Sequence, residues 1–166
     1  MTAAPACDLK VAPTETGCCI RVEGQGTMAQ SPTAKDLAVR TLQGDASAAV
    51  VIDLSACTYL DSTFLGCLME LYRMFGKVKP PRYFLFGSTD QLKKVLGPTH
   101  IDRLIPQVPA VPALRGDWVA VPAGTLERRD QLRHVMDCHR ALAEVEGPMK
   151  GAFARIAQQI EKELEK

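Results

Sequence analysis

The stretch from Val50 to Gly76 constrains the fold of this chain more than any other. An apolar run, Val50-Val51-Ile52-Asp53-Leu54, leads through Ser55 to Leu60 into Asp61-Ser62-Thr63-Phe64-Leu65-Gly66. β-Branched and leucine residues around Asp53 predict a strand buried on both faces, the habit of central strands in parallel or mixed sheets. From Phe64 onward the apolar positions are Phe64, Leu65, Leu68, Leu71, Tyr72 and Phe75, with Glu70, Arg73 and Lys77 elsewhere. The period has switched from strand to helix. Asp61, immediately before the helical residues, is placed to accept from free backbone N–H groups of the first turn, so it reads as the N-cap. Ser55 to Leu60 reads as the loop between strand and helix.

The flanking segments extend this alternation. Met1 to Pro13 is rich in small residues and reads as a loose arm ending in a short edge strand near Asp8 to Val11. Gly17 to Gly24 predicts a second, partly solvated strand, because Ile20 and Val22 alternate with charged residues. Ser31-Pro32 predicts an N-cap with proline in the first helical position and a helix to about Leu42, ended by Gly44-Asp45. Leu37, Ala38, Thr41 and Leu42 would face inward. Lys79-Pro80-Pro81 stops the central helix, since proline disfavours the helical conformation in the residue before it. Tyr83 to Gly87 is another buried strand, Ser88 or Thr89 caps a helix carrying Leu92, Val95 and Leu96, and Gly97-Pro98 ends it. A last short strand is expected at Leu104-Ile105, followed by an extended connection through Pro106, Pro109, Pro112 and Pro122.

Two helices close the chain. One lies between Thr125 and Glu146 and ends at Gly147-Pro148; the other carries the stripe Met149, Phe153, Ile156, Ile160 and Leu164. That stripe must cover the body of the domain, the preceding helix or a second copy of the chain, and intramolecular packing is the simplest of the three. The expected organisation is therefore a domain over residues 1–110, a proline-containing connection over 111–124 and a helical extension over 125–166. The fold class is α/β, with a small mixed sheet covered by helices.

Length and charge narrow the function. The 166 residues suffice for one domain with an appendage. Lys plus Arg against Asp plus Glu stand at 20 to 19, which removes the charge argument for nucleic acid or an anionic membrane as partner. Aromatic residues are few and are not interleaved with basic ones, which argues against a single-strand nucleic-acid groove. Met1 to Cys7 lacks the basic and apolar regions of a signal peptide, so the expectation is a cytoplasmic protein with reduced thiols.

Ser62 and Thr63 fall in the first turn of the central helix, where unsatisfied N–H groups and the positive end of the helix dipole gather. A phosphate is electrostatically well placed there. The combination Asp53-Leu54-Ser55, four residues, then Leu60-Asp61-Ser62-Thr63-Phe64-Leu65-Gly66 resembles the signature of STAS domains, the anti-sigma-factor antagonist family. The resemblance covers about Asp8 to Val108 in element order. It implies a non-enzymatic partner switch without a cofactor. The unmodified protein would bind an anti-sigma factor serine kinase, phosphorylation of Ser62 would release it, and a phosphatase would reset the switch. Thr63 is the second acceptor candidate, and Asp61, Ser62, Thr63, Phe64 and Gly66 form the implied partner surface. The family commonly has glycine where this chain has Phe64, so a ring beside the acceptor is expected to reshape that surface. Gly66, one turn on, would keep the helix low for close approach.

Other readings are weaker. A scaffold STAS module in a sensory or transporter assembly would leave Ser62 unmodified, with the C-terminal helices mediating assembly into homo-oligomers. A nucleotide-binding regulator would use Gly24-Gln25-Gly26-Thr27-Met28-Ala29, which matches G-x-G-x-x-A. A dinucleotide helix starting inside that motif would have to run through Pro32, at a cost of about 3 kcal/mol. Asp53 and Asp61 as a paired acid–base or Mg²⁺ site is less economical than Asp61 as a cap or as an orienting group for Ser62. His134, Asp137, Cys138 and His139 read as a solvated helix face rather than a metal site, since two ligands on one helix fall short of a zinc set. Cys57 and Cys67 lie near the switch with nothing to activate them.

Overall fold

The computed structural model describes residues 8–166. The proposed arm over residues 1–7 lies outside the described residues. Six strands form one mixed sheet among them: β1 (Asp8–Pro13), β2 (Gly17–Gly26), β3 (Ala49–Asp53), β4 (Cys57–Leu60), β5 (Tyr83–Phe86) and β6 (Val119–Val121). The order is β5-β3-β2-β1-β6, and β4 also pairs with β2. β2 runs antiparallel to β1 and parallel to β3 and β4, while β3 runs parallel to β5.

The register aligns Ile20 with Ile52 and Ile52 with Leu85, so one face of three parallel strands is a continuous aliphatic row. Cys18, Ile20, Val22, Val50, Ile52, Tyr83 and Leu85 are buried there. Alternate residues Cys19, Val51 and Asp53 turn to the other face and are buried too, so both faces are covered where β2 pairs with β3, while Arg21 and Glu23 further along β2 stay partly exposed. The partly solvated strand expected at Gly17 to Gly24 is thus a central strand. Its Arg21 is retained on the second face by Asp53, 2.9 Å away, and by the ring of Trp118, whose centroid lies 4.0 Å from the guanidinium carbon. The charged side chain in the pattern marked a half-buried ion pair, Asp53 being buried and Arg21 keeping part of its surface in solvent.

Three further expectations are corrected. β1 is not an edge strand, because β6 pairs outside it through Leu9 and Val121. The last strand lies at Val119–Val121 within the proline-containing connection; Leu104 follows a 3-10 turn at Ile101–Arg103, and that region pairs with the sheet by an isolated Leu85–Gln107 bridge. Ser55 to Leu60 is not all loop, since β4 occupies Cys57–Leu60 and pairs with the end of β2 across an irregularity at Gly24/Gln25. Short strands of mixed polarity such as Cys57-Thr58-Tyr59-Leu60 have no alternation long enough to read.

The helices are α1 (Ser31–Gly44), α2 (Ser62–Leu71), α3 (Thr89–Leu96), α4 (Arg128–Ala143) and α5 (Lys150–Leu164). α2 passes into a π-helical turn over Tyr72–Gly76. α1 buries Ser31, Ala34, Ala38 and Leu42, with Leu37 and Thr41 at the margin of that face. Its N-cap is Gln30 and makes no side-chain cap bond; the expected cap, Ser31, is the first helical residue and is fully buried. Ser88 caps α3 by accepting from the Gln91 N–H, as its sequence position predicts.

α4 packs on α2, and α5 packs on α4. Phe153 of α5 reaches the main core, while Met136, Ala157 and Leu164 form a separate small seam joined by Leu132 and Ile160. Ile156 and Met149 of the expected stripe are exposed, and Ala157 takes the inward position instead. The intramolecular option is the one the fold realises for the rest of the stripe.

Candidate functional site

The site at the N-terminus of α2 is assembled by Asp61. One carboxylate oxygen accepts from the Phe64 N–H at 2.8 Å, and the other accepts from the Met28 N–H at 2.8 Å. The first bond caps the helix, and the second ties the helix start to the loop after β2. The Asp61 N–H in turn donates to the Gly26 carbonyl at 3.0 Å. Both oxygens are thus spent on backbone, so Asp61 acts as cap and tether rather than as an orienting group for Ser62.

Ser62 is half-buried, and its hydroxyl lies 3.0 Å from Nε2 of His139 on α4. The opposite ring nitrogen, Nδ1, is 2.8 Å from the Val135 carbonyl oxygen. A carbonyl only accepts, so Nδ1 carries the proton, and in the neutral ring Nε2 accepts from the Ser62 O–H. His139 is itself buried, with its ring edge against Phe153 at 5.9 Å between centroids. A serine at a helix N-terminus is therefore held by a base from a helix 77 residues away in sequence.

The remaining residues of the expected surface do not share its exposure. Thr63 is buried, and Phe64 is completely buried against the end of β2. A Cβ on Gly26 would lie 3.0 Å from the Phe64 ring, so the glycine of the G-x-G-x-x-A string makes room for that ring. Phe64 consequently shapes the interior under the site and does not reach the partner surface. Gly24, with φ of 81°, adopts a conformation that favours glycine at the irregularity where β2 pairs with β4. Both glycines have structural causes.

Gly66 does allow close approach, but to the chain's own helix. A Cβ there would overlap the carbonyl of Cys138 and lie 2.7 Å from its Cα. Among Asp61, Ser62, Thr63, Phe64 and Gly66, only Asp61 and Ser62 keep solvent contact. Beside them, Tyr59 on β4 is 52 % exposed and Met28 is 41 % exposed, apolar surface whose presence at this rim the strand-and-helix reading did not reveal.

The segment His134 to His139 is the clearest correction. His134, Cys138 and His139 are buried, not solvated. The Ser31 hydroxyl lies 2.7 Å from Nε2 of His134, and the Cys138 thiol donates to Glu70 Oε1 at 3.3 Å. The other Glu70 oxygen accepts from Lys35 at 2.8 Å. Burial, helped by the nearby Lys35 charge, pushes His134 down to about 4, so its ring is neutral at physiological pH. Burial likewise pushes the Cys138 thiol well up, with Cys67 and Glu70 acting in the same direction. Cys57 and Cys67 are buried thiols with raised values, chiefly from desolvation, and so lack the exposed thiolate that redox reactivity needs. Asp53 is buried and bonded to Arg21 and to the N–H and hydroxyl of Ser55, at 2.9 and 2.6 Å for the latter two. Like Asp61, it has a structural commitment.

No helix among the described residues is long and apolar enough to cross a membrane. The sequence matches no curated protein. Among solved structures, an anti-sigma factor antagonist from Mycobacterium paratuberculosis is similar in fold, with a TM-score of 0.52 and 23 % identity over 67 % of this chain and 92 % of that one. The family model for the STAS domain matches residues 9–113, from β1 through the bridge at Gln107 into the connection, with α4 and α5 beyond it. The chain belongs to the STAS domain family.

Proposed function

We propose that this STAS protein is an anti-sigma factor antagonist that works by partner switching, with Ser62 as the phosphorylated residue. The observation that carries the reading is the placement of the half-buried Ser62 in the first turn of α2, beside the capping residue Asp61. The similarity in fold to an anti-sigma factor antagonist supports it. In the unmodified state an anti-sigma factor serine kinase docks over Asp61 and Ser62, with Met28 and Tyr59 as apolar anchors at the rim. Phosphorylation adds about 1.5 to 2 negative charges and three acceptor oxygens. The helix dipole tolerates this charge in the fold. A docked partner, in contrast, must desolvate a dianion placed beside Asp61, and it is released. A phosphatase restores the binding form. Thr63, being buried, is the poorer acceptor.

The test is incubation with a cognate serine kinase and ATP, followed by site-resolved mass spectrometry. Phosphate on Ser62 and loss of kinase binding in Ser62→Asp are expected. Absence of phosphate from Ser62, together with unchanged kinase binding by Ser62→Asp, sinks the reading.

A second reading rests on the Ser62–His139 hydrogen bond and on α4 covering Gly66. Here the chain is a STAS scaffold module whose serine is a structural contact. It predicts that Ser62→Ala loosens α4 and leaves partner binding unchanged, the opposite of the switch.

A further inference from the structure

We propose that Glu70, His134 and Cys138 form a binding site for one divalent transition-metal ion of the Zn²⁺ class, which clamps α4 to α2. The three side chains converge from two helices, and their ligand atoms lie within 4.8 Å of one another. A tetrahedral zinc with Zn–S of about 2.3 Å and Zn–N or Zn–O of about 2.0–2.1 Å requires sulfur-to-nitrogen and sulfur-to-oxygen edges of about 3.5–3.6 Å. Cys138 Sγ stands 3.3 Å from Glu70 Oε1 and 3.6 Å from His134 Nε2, with Nδ1 at 4.0 Å. The Sγ–Oε1 and Sγ–Nδ1 separations come within about half an ångström of these coordination edges.

The outer contacts follow the pattern of metal sites as well. Ligating imidazoles and carboxylates are usually held by a second hydrogen bond that fixes their orientation. Glu70 is held through Oε2 by Lys35, leaving Oε1 toward the thiol, and His134 is held through Nε2 by Ser31, 2.7 Å away. With Ser31 retaining Nε2, the ligand atom is Nδ1. Each putting-together of donor and holder comes from a different helix, since Ser31 and Lys35 belong to α1.

The donor set selects the ion. One thiolate, one imidazole and one carboxylate suit zinc or cobalt, whereas an all-oxygen set would suit magnesium or calcium. On binding, the ion replaces the proton that the Cys138 thiol directs at Glu70, so the S–H bond breaks, a sulfur–metal bond forms and one proton leaves to solvent. The thiolate and carboxylate then balance the two positive charges. Lys35 is the facing cation, and it stays on the far carboxylate oxygen. Cys67, the neighbouring thiol of α2, is engaged with the Ser31 carbonyl at 3.5 Å and remains outside the set. Three protein ligands leave the fourth position of a tetrahedral ion to water.

The experiment titrates the full chain, stripped by a chelator, with Co²⁺ as the spectroscopic probe and then with Zn²⁺ as competitor. The expected result is one equivalent bound, a thiolate-to-cobalt charge-transfer band, one proton released per ion and displacement by Zn²⁺. Cys138→Ser abolishes the band and Cys67→Ser keeps it. Glu70→Gln, nearly the same shape, weakens binding by more than about a hundredfold, beyond the range seen for outer contacts, and Ser31→Ala weakens it by about 10–100-fold. Circular dichroism of each variant confirms that it is folded, and Glu70→Gln replaces Cys138→Ser as the deciding variant should the latter unfold. Absence of the band in the native chain, or a band and affinity unaltered by Cys138→Ser and Glu70→Gln, overturns the site.

Discussion

The body of the domain and the junction between α2 and α4 are both buried, yet different forces hold them. In the body, Ile20, Ile52, Leu85 and Phe64 are apolar and inaccessible, and the attraction among them is non-directional and proportional to area. At the junction, Ser62 meets His139, Ser31 meets His134 and Glu70 meets Cys138. Those contacts are directional, and each hydrogen bond contributes only about 1 kcal/mol net. Cys138, Ala141, Leu142 and Phe153 anchor the α4–α5 hairpin in the main core, and its own apolar seam centres on Met136, Ala157 and Leu164. The lesson is that the body depends on volume, whereas the junction adds directional polar contacts to a smaller apolar seat, so the hairpin should open at a lower free energy than the sheet.

The severest way to break this comparison is Phe64→Ala. Truncating a fully buried ring should cost about 3–5 kcal/mol, and urea unfolding followed by probes in the sheet and in α5 should shift together. A negligible shift would remove the claim that this ring belongs to the body's core. Gly66→Val comes next, at about 1–3 kcal/mol for overpacking, because its side chain meets the backbone of Cys138. Amide exchange should accelerate in α4 and α5 while β2 and β3 stay protected. Uniform acceleration would mean that junction and body open as one unit.

Acid separates the two regions by another route. In the metal-free chain, His134 is held near 4 by burial and by Lys35, against an ordinary value near 6.5. The unfolded chain then binds more protons, so this contribution is complete above about 6.5 and is lost as pH falls toward about 4. Ser31, Glu70 and Cys138 surround the ring with Lys35, and Glu70 is the acidic group among them. Protection factors in α4 should fall between pH 7 and 5 ahead of those in β3, and His134→Gln should flatten that difference. Equal pH sensitivity of both elements would contradict it.

His139→Ala should cost about 1–2 kcal/mol through the lost Ser62 bond and packing, read as a lower thermal midpoint for hairpin-specific signals. Smallest of all is Glu161→Gln. Its ion pair with Arg140 is 2.7 Å long but close to half-exposed on both sides, so thermal denaturation should move by no more than about 0.5 kcal/mol. A larger change would show that this rim pair, rather than the buried polar contacts, secures the hairpin.

Local chemistry made much of the body legible. The run Val50 to Leu54, the Asp61 cap, the Ser88 cap and the stop at Gly97 are each decided by neighbours within a few residues, which is why their positions agree with the fold. β6 was illegible because Val119-Ala120-Val121 is too short to show a period and gains its stability from pairing with Leu9 to Val11. The polarity of Arg21 suggested solvent, since a sequence does not display that Asp53 and Trp118 converge on it. Likewise His134 and His139 have the composition of a wet helix face, and only partners on α1 and α2 make their burial affordable.

What the sequence determined by itself was the succession of β1, β2, α1, β3, α2, β5 and α3 followed by two closing helices, the central position of Val50 to Gly76 and the seat of Ser62 at a capped helix start. Those features follow from backbone period, capping and the dipole, all of which act over one or two turns. Only tertiary structure decided that Phe64 points inward, that Gly66 receives α4 and that Ser62 bonds to His139. These depend on contacts between residues far apart in the chain, whose pairing is set by the close packing of whole helices on the sheet.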